Sequence, residues 1–440
     1  LVYGTLTAVG SSGNEVVFTS FTDDDFGGDS NGGGHSTGTP GYWGRIYFNN
    51  TSSSRLEHVK VRYGGYNSDG NIYMYNSAVP VISSEISDGS SFGIYSYDCS
   101  PLIQGNTISN NGSYGIYHRG YYTLPSPVDR NNTITGNSYG IYVQNATPTI
   151  DGNTITDNTS YGIYFTQVTN SPVITSNTIT GNNKPVRLPF SSLPGPDAGN
   201  TLSPNTYEQI EFYGNTLSHD LTLTTAPVNL YYQVGGNVTV ATGAKLTIEP
   251  GVVWKFASSV GIDVNGALYA VGGSSDSIVF TSYRDDEFGG DTNGGGFSTG
   301  QPGDWNRIYF SDSAVEFLTR LEHVKVLYGG SGGSGNINMN NSSVPVISSE
   351  ISYGSSYGIY ALNCSPLIQG NTISNNGSYG IYTWDGSPLI QVNTISNNGS
   401  YGIYHRGYYT LPSPVDLNNT ITGNFGGIYV RYATPTIDHD

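Results

Sequence analysis

The segment Ser100-Pro-Leu-Ile-Gln-Gly-Asn-Thr-Ile-Ser-Asn-Asn-Gly-Ser-Tyr-Gly-Ile-Tyr117 determines the fold, because the chain uses it repeatedly. It recurs nearly unchanged at residues 365–382 and 387–404. Its Gly-Ile-Tyr element also recurs with spacings of mostly 22 residues, starting at Gly93, Gly115, Gly140, Gly162, Gly358, Gly380 and Gly402. A repeat of this length predicts a solenoid in which each unit stacks on the next.

One repeat contains three short apolar stretches, centred on Ile103, Ile108 and Ile116 and separated by Gly, Asn and Ser. Stretches of three to five residues with β-branched side chains and such separators are typical of strands and turns. One unit cannot bury its own isoleucines, but units stacked about 4.8 Å apart can. The sequence therefore predicts an all-β solenoid with isoleucine ladders inside.

An asparagine recurs at one turn of the repeat. We expect Asn106, Asn132, Asn153 and Asn177 to lie in register, with amides bonded to the neighbouring coil. Asparagine also tolerates the left-handed backbone conformation, which such a turn favours.

A second, longer repeat shows that the chain is duplicated. Residues 4–48 match residues 266–310, and the second copy contains one additional coil at about 383–404. This predicts a first β-helix copy over 1–183, a junction segment over 184–236 and a second copy over 237–440. One continuous rod and two rods joined at an angle are both compatible with the sequence.

The charge and the apolar content of the chain argue against nucleic acids and membranes as partners. The net charge is −17 and only 11% of residues are charged. Nucleic acids and anionic membrane surfaces require basic patches, so neither is an expected partner. No run of 18 apolar residues occurs, so we expect no insertion into a membrane.

The repeat phrases and the segment Leu246-Thr-Ile-Glu-Pro-Gly-Val-Val-Trp-Lys-Phe256 resemble right-handed parallel β-helix repeat proteins. These belong to the secreted prokaryotic branch of the pectate-lyase-like superfamily. The resemblance implies a right-handed parallel β-helix with coils of about 22 residues, located outside the cell or on its surface. It covers nearly the whole chain but does not indicate an activity, because this fold carries many functions.

The best candidate for chemistry is an Asp-rich, Gly-rich loop that occurs in both copies. Calcium ions are bound by six to eight oxygen atoms, which alternating Asp and Asn side chains with Gly turns can supply. A solvated loop that covers the edge of a coil is the alternative. The predicted Ca²⁺ ligands are Asp23, Asp24, Asp25, Asp29 and Asn31 in the first copy, and Asp285, Asp286, Glu287, Asp291 and Asn293 in the second.

The tyrosines of Gly-Ile-Tyr should form an outer file, because strand alternation points the Ile inward and the Tyr outward. We expect Tyr95, Tyr117, Tyr142 and Tyr164 to stack, and likewise Tyr360, Tyr382 and Tyr404. Such a file either stabilises the rod or binds sugar rings or a neighbouring filament.

Two further residue types carry weaker expectations. His118 and His405 are placed in His-Arg-Gly-Tyr-Tyr loops, with no Ser, Cys or metal ligand at a suggestive spacing and no expected catalytic role. Cys99 and Cys364 are interpreted as small buried residues, with an intermolecular disulfide as the alternative. Glycosylation motifs of the form Asn-x-Ser/Thr occur at Asn50, Asn111, Asn145, Asn158, Asn237, Asn376 and Asn398.

These observations favour a non-catalytic extracellular structural protein, such as a filament, stalk or surface-layer component. No capping segment is recognisable at either end. We therefore expect either a fragment of a longer tandem array or head-to-tail self-association through open ends. Two alternatives stay open: a glycan-binding adhesin that uses the tyrosine faces, and a polysaccharide lyase, hydrolase or epimerase.

Overall fold

The protein is described here by a computed structural model, which covers residues 1–51, 53–67, 69–167, 172–192, 198–224 and 231–439. Each coil contributes one strand to each of three sheets, which we name after the repeat residues that form them: the Leu-Ile-Gln, Thr-Ile-Ser and Gly-Ile-Tyr sheets. Adjacent strands of a sheet come from successive coils and pair in parallel, as Leu102 does with Val128. The predicted parallel β-helix is confirmed.

The chain divides into two compact units, Leu1–Ile210 and Glu211–Asp440. This division falls inside the predicted junction segment 184–236. That segment contributes strands such as Lys184–Pro189 and Gln209–Tyr213 to the coils, whereas residues 193–197 and 225–230 of it lie outside the described residues.

In the first unit, the Leu-Ile-Gln sheet consists of Thr7–Val9, Arg55–Glu57, Val81–Ile82, Leu102–Gln104, Val128–Arg130, Thr149–Asp151 and Val173–Thr175. The Thr-Ile-Ser sheet consists of Val16–Phe18, Val59–Arg62, Glu85–Ser87, Thr107–Ser109, Thr133–Thr135, Thr154–Thr156 and Thr178–Thr180. The Gly-Ile-Tyr sheet consists of Ile46–Asn49, Ile72–Tyr75, Phe92–Tyr97, Tyr114–Arg119, Tyr139–Gln144, Tyr161–Thr166 and Lys184–Pro189.

In the second unit, the Thr-Ile-Ser strands are Gln209–Tyr213, Tyr231–Val234, Val253–Phe256, Ile278–Ser282, Val324–Leu327, Glu350–Ser352, Thr372–Ser374, Thr394–Ser396 and Thr420–Thr422. The Gly-Ile-Tyr strands are Thr216–Leu217, Val238–Val240, Ile262–Val264, Ile308–Phe310, Gly335–Asn340, Tyr357–Leu362, Ile381–Trp384, Tyr401–Arg406 and Gly426–Arg431. The Leu-Ile-Gln strands are Leu221–Leu223, Lys245–Ile248, Ala267–Val271, Arg320–Glu322, Val346–Ile347, Leu367–Gln369, Leu389–Gln391, Val415–Leu417 and Thr436–Asp438. Short 3₁₀ helices lie at Phe190–Ser192, Glu316–Leu318 and Ser331–Gly333.

The interior of each coil is filled by ladders of like apolar residues. Ile103, Ile108 and Ile116 are completely buried, as predicted. Ile108 pairs in register with Ile134 of the next coil. Burial of an isoleucine side chain contributes about 1.5–3 kcal/mol, and stacking provides this contribution in every coil.

The asparagine ladder is also present, and it bridges three coils at a time. Asn132 Nδ2 donates to Asn153 Oδ1 at 2.9 Å in the next coil and to the Ile103 carbonyl at 2.9 Å in the preceding coil. The ladder asparagines are not themselves left-handed, contrary to the expectation. The positive φ belongs to the residue before each of them, for example Gly105 at 67° and Asn131 at 52°. That residue makes the turn, which leaves the following amide free to point inward.

A second asparagine ladder runs parallel to the first and was missed by the sequence analysis. Asn111 Nδ2 donates to Asn137 Oδ1 at 3.1 Å, and Asn137 Nδ2 donates to Asn158 Oδ1 at 3.1 Å. The signal was present in the sequence as the doubled Asn-Asn of the repeat.

Coils differ in length mainly in the turns and loops between the strands. Leu367 pairs with Leu389, 22 positions further on, and Leu389 pairs with Val415, 26 positions further on. Two coils are much longer: Thr7 pairs with Arg55, and Tyr269 with Arg320. The extra residues in these two coils include the Asp-rich loops.

Candidate functional sites

Each Asp-rich loop leaves the solenoid between a Thr-Ile-Ser strand and a Gly-Ile-Tyr strand. The first lies between Val16–Phe18 and Ile46–Asn49, and the second between Ile278–Ser282 and Ile308–Phe310. A tryptophan follows each loop, and in the second copy the Trp305 indole is completely buried and donates to the Leu327 carbonyl at 2.6 Å. The loops are therefore attached firmly to the coils that carry them.

One carboxylate in each loop is occupied by backbone amides. Asp29 accepts hydrogen bonds from the N–H groups of Gly32 at 2.6 Å and Gly34 at 2.9 Å. Asp291 is bound in the same way, and the N–H group of Gly296 makes the largest contribution to lowering its pKa. These carboxylates organise the glycine turn that follows them.

The two loop asparagines brace the same turn. Asn31 Oδ1 accepts from the Gly33 N–H at 2.9 Å, and its Nδ2 donates to Ser36 Oγ at 3.1 Å. Asn293 Nδ2 makes the equivalent bond to Ser298 Oγ at 2.9 Å.

Other carboxylates of the loops point toward the solenoid. Asp24 Oδ2 accepts the Ser36 N–H at 2.7 Å, and Asp23 accepts the Thr19 hydroxyl. The Oδ1 atoms of Asp23, Asp24 and Asp286 are buried and have no hydrogen-bond partner in the described part of the chain. A buried carboxylate oxygen without a partner is costly, so these atoms are the best candidates in the loops for an additional ligand.

The two copies balance the charge of their loops differently. In the first copy, the Arg62 guanidinium lies 3.8 Å from Asp23 and 3.7 Å from Asp25, which is exposed. The corresponding position in the second copy is Leu327. The cation there is Lys255, on a neighbouring coil.

Lys255 is completely buried beneath the second loop. Its ammonium group donates to the Gly290 carbonyl at 2.8 Å. Burial lowers the pKa of Lys255 to about 8, and the negative charges of Asp286 and Asp285 partly oppose this shift. Burial also raises the pKa of Asp285, whose Oδ1 accepts the N–H group of the exposed Glu287 at 3.4 Å.

Each loop carries five of the ten predicted Ca²⁺ ligands, and the structure divides these residues by role. Asp29, Asn31 and their counterparts are engaged by the loop itself, whereas Asp23, Asp24 and Asp286 retain free oxygens. Within the described residues, no three His, Cys, Asp or Glu side chains are grouped so that they alone could hold a metal ion. Calcium binding therefore stays a prediction that depends on additional oxygen ligands.

The predicted tyrosine file forms on the outer face of the Gly-Ile-Tyr sheet. Ring centroids are 4.7 Å apart for Tyr95 and Tyr117, 4.9 Å for Tyr117 and Tyr142, and 5.1 Å for Tyr142 and Tyr164. In the second unit, Tyr382 and Tyr404 are 4.9 Å apart. The rings contact one another, so much of each ring surface is covered within the file.

A second aromatic file lies beside the first and was not predicted. It consists of Phe92, Tyr114, Tyr139 and Tyr161, with successive centroids 5.5, 5.2 and 6.0 Å apart. Both files face outward because the strand keeps Gly115 and Ile116 between them buried. Burial against the neighbouring rings raises the pKa of Tyr142 to about 12, and the same holds for Tyr360 in the second unit.

The placement of His118 and His405 in loops is wrong, because both lie in strands and are buried. His118 lies in the strand Tyr114–Arg119, points into the core and is completely buried. Its Nδ1 lies 2.6 Å from Ser96 Oγ and its Nε2 lies 2.9 Å from Asp129 Oδ2. Side chains alternate along a strand, so His118 points to the same side as Ile116. The same alternation could have predicted its burial from the sequence.

The second copy repeats this buried group with one conservative change. His405 Nδ1 lies 2.7 Å from Thr383 Oγ1, and Nε2 lies 2.9 Å from Asp416 Oδ2. A hydroxyl, an imidazole and a carboxylate connected in this order can activate a nucleophile. Here His118, Asp129, His405 and Asp416 all have 0% exposed side chains, so no substrate reaches them.

Beyond each buried histidine, a loop presents two tyrosines to solvent. Tyr121 is 64% exposed and Tyr122 is 74% exposed, and their rings are 4.7 Å apart and nearly perpendicular. Asp98 holds the loop, because its Oδ1 accepts the N–H groups of Tyr121 at 2.6 Å and Tyr122 at 3.0 Å. Asp385 holds the equivalent loop of the second unit.

The two cysteines and the asparagines of the glycosylation motifs differ in how deeply they are buried. Cys99 and Cys364 are free and buried, as interpreted from the sequence. Four of the seven glycosylation motifs begin with a buried ladder asparagine, namely Asn111, Asn158, Asn376 and Asn398. Asn50 and Asn237 are exposed.

Comparison with known proteins concerns the fold. A sequence profile of the family described as "Right handed beta helix region" matches residues 44–222 and 335–439, more than half of the chain. Among solved structures, the mannuronan C-5 epimerase AlgE6 A-module of Azotobacter vinelandii is similar at 10% identity and a TM-score of 0.22, over 89% of this chain and 91% of that chain. This similarity assigns no activity here. No curated protein matches significantly, and no helix of the described residues is long and apolar enough to cross a membrane.

Proposed function

The chain belongs to the right-handed β-helix family, and from this premise we propose that it is a non-catalytic structural β-solenoid that acts outside the cell. As a filament, stalk or surface-layer component, it would provide length and rigidity. The location is part of the proposal and follows from the sequence resemblance to secreted repeat proteins.

The observation that carries the proposal is the use of reactive side chains as internal supports. Ser96, His118 and Asp129 have the connectivity of a catalytic group, yet they are sealed in the core. The duplicated chain repeats this arrangement with Thr383, as expected when the hydrogen bonds and not the chemistry of the hydroxyl matter. A rod gains length from each copy, whereas an enzyme rarely needs two equal buried centres.

End-to-end assembly is the second part of the proposal. A parallel coil offers the backbone groups of one edge to the next coil, so terminal coils of two molecules can continue the same ladders. Such head-to-tail contacts do not close and give a filament. Calcium in the Asp-rich loops would stabilise the two long coils.

Negative-stain electron microscopy of the purified chain tests this proposal. Uniform fibres whose length increases with protein concentration are expected. Dispersed short rods at every concentration would contradict assembly, and turnover of uronic-acid polymers in lyase, hydrolase or epimerase assays would contradict a non-catalytic role.

A specific observation also favours glycan binding as a second candidate function. The stacked tyrosine files cover much of their own ring surface, but Tyr121, Tyr122, Tyr408 and Tyr409 are more than 60% exposed. A glycan array compares the wild type with a variant in which these four tyrosines are alanine. The matched control is Tyr66→Ala, since Tyr66 is 62% exposed elsewhere. Binding that only the four-residue variant loses supports this candidate, and binding by all three proteins contradicts it.

A further inference from the structure

The outer face of the Thr-Ile-Ser sheet of the first unit is a regular array of hydroxyl side chains. In the strands Thr133–Thr135, Thr154–Thr156 and Thr178–Thr180, the central isoleucine is buried and a threonine on each side faces outward. Thr107–Ser109 begins the array with the same pattern. On the other side, Thr201 forms an isolated parallel bridge with Thr178.

The register of the sheet aligns these side chains into two files. Thr133 pairs with Thr154 and Thr154 with Thr178, while Thr135 pairs with Thr156 and Thr156 with Thr180. Strands are spaced about 4.8 Å apart, and residues two apart on a parallel strand are about 6.6 Å apart. The hydroxyls therefore repeat in two directions at nearly right angles.

Each threonine of the array has the same chemistry, and Ser109 at the edge lacks only the methyl group. A threonine side chain offers one hydroxyl that donates and accepts, beside one methyl group, and its branched Cβ limits rotation. The files contain no charged residue, although the chain carries a net charge of −17. The array ends where Glu85 takes the first threonine position and pairs with Lys60 at 3.0 Å.

A periodic, uncharged surface of this kind matches a periodic ligand. A single sugar covers only part of four aligned strands, whereas a crystal face can match all of them in both directions. Ice consists of oxygen atoms that each donate and accept, with repeats close to the strand spacing of a β-sheet. We propose that the Thr-Ile-Ser face binds ice.

The second unit carries the same face in shorter form. Thr372 pairs with Thr394 and Thr394 with Thr420, and all three are exposed. In the companion file Ser396 and Thr422 are accessible, whereas Ser374 is buried and does not contribute to the face. The proposal is independent of end-to-end assembly, since it requires only a single solenoid.

The test measures ice recrystallisation inhibition and thermal hysteresis of the full chain. The test variant combines Thr154→Lys with Thr394→Lys, which place a long charged chain in the centre of each array without touching the core. The matched control combines Val173→Lys with Val392→Lys, because these residues are 50% and 58% exposed outside the array. Circular dichroism confirms that both variants keep the fold.

We expect the wild type and the control to keep ice grains at their starting size, and the test variant to lose about tenfold or more in potency, as substitution at the centre of an interface does. Absence of any effect of the wild type on ice growth would overturn the proposal. An equal loss in both variants would also overturn it, because the effect would not belong to this face. Binding to crystalline cellulose or chitin that only the test variant loses, without an effect on ice, would assign the face to a solid polysaccharide instead.

Discussion

The buried pair of His118 and Asp129 allows the internal-support role to be tested by replacement. Both side chains are completely buried, and the two carboxylate oxygens of Asp129 lie 3.1 and 2.9 Å from His118 Nε2. Asp129→Leu leaves a buried imidazole without its acceptor, and His118→Leu leaves a buried carboxylate without its donor. The double variant removes both polar groups at once.

The expected magnitudes follow from the cost of unpaired buried charge. Removal of one partner of a buried pair costs about 3–5 kcal/mol, whereas replacement of the whole pair by apolar residues is often neutral or stabilising. The two single substitutions should therefore each destabilise the local coils strongly. The double variant should be more stable than either single variant.

Hydrogen exchange measured by mass spectrometry is the suitable assay, because a long repeat protein unfolds in parts and not in one step. At about tenfold per 1.36 kcal/mol, amides of the strand Tyr114–Arg119 should exchange roughly 150 to 5,000 times faster in each single variant. Peptides around His405 serve as the internal control and should be unchanged. Additive costs in the double variant, or a cost below about 1 kcal/mol in the singles, would refute the reasoning.

Three further predictions concern charge and ions. The pKa of Lys255 is lowered from 10.5 to about 8, so between these pH values the unfolded chain binds more protons than the folded chain. The stability of the wild type relative to Lys255→Met should therefore rise from about pH 8 to pH 10.5. A difference in unfolding midpoints that does not change with pH would contradict this. Burial raises the pKa of Tyr142 and Tyr360 to about 12, so their stabilising contribution is complete below about pH 10 and is lost as the pH rises toward 12, which alkaline unfolding followed by tyrosinate absorbance should show. If Ca²⁺ occupies the free oxygens of Asp24 and Asp286, a chelator should lower the melting temperature of the wild type but not of the Asp24→Asn, Asp286→Asn variant; an equal response of both proteins would remove the site.

The coil architecture could be predicted because its signals are local and repeated. Ile103, Ile108 and Ile116 each mark a strand within one 22-residue unit, and repetition places like residues in register. The tyrosine file at Tyr95 and Tyr117 follows from the same alternation. Periodicity gives both the elements and their neighbours when each coil templates the next.

The parts that could not be predicted involve contacts between different sheets of a coil. His118 and Asp129 meet across the core although 11 positions and a turn separate them. Ser96, by contrast, lies in register with His118 on the neighbouring strand of the same sheet. The sequence contained no marker for the pairing of His118 with Asp129, because the pattern of strand residues specifies direction but not partners across the interior.

The loops show a second limit of sequence reasoning. The Asp-rich segments of the two copies look equivalent, yet the balancing cation is Arg62 in one and Lys255 in the other. A comparison of aligned positions detects that Leu327 replaces Arg62. It cannot show that a lysine 72 positions earlier supplies the charge, because this depends on which coils lie beneath the loop.

In-register stacking of the coils is the central claim, and disulfide trapping measures it directly. Thr133 and Thr154 are paired neighbours about 4.8 Å apart, whereas Thr133 and Thr156 are diagonal and about 8 Å apart. A disulfide requires Cα atoms within about 7 Å. Burial raises the thiol pKa of Cys99 to about 11 and of Cys364 to about 12, so the native cysteines should not interfere. Cysteines at 133 and 154 should cross-link rapidly and those at 133 and 156 should not; the reverse result, or equal cross-linking of both pairs, would contradict the parallel register on which the fold depends.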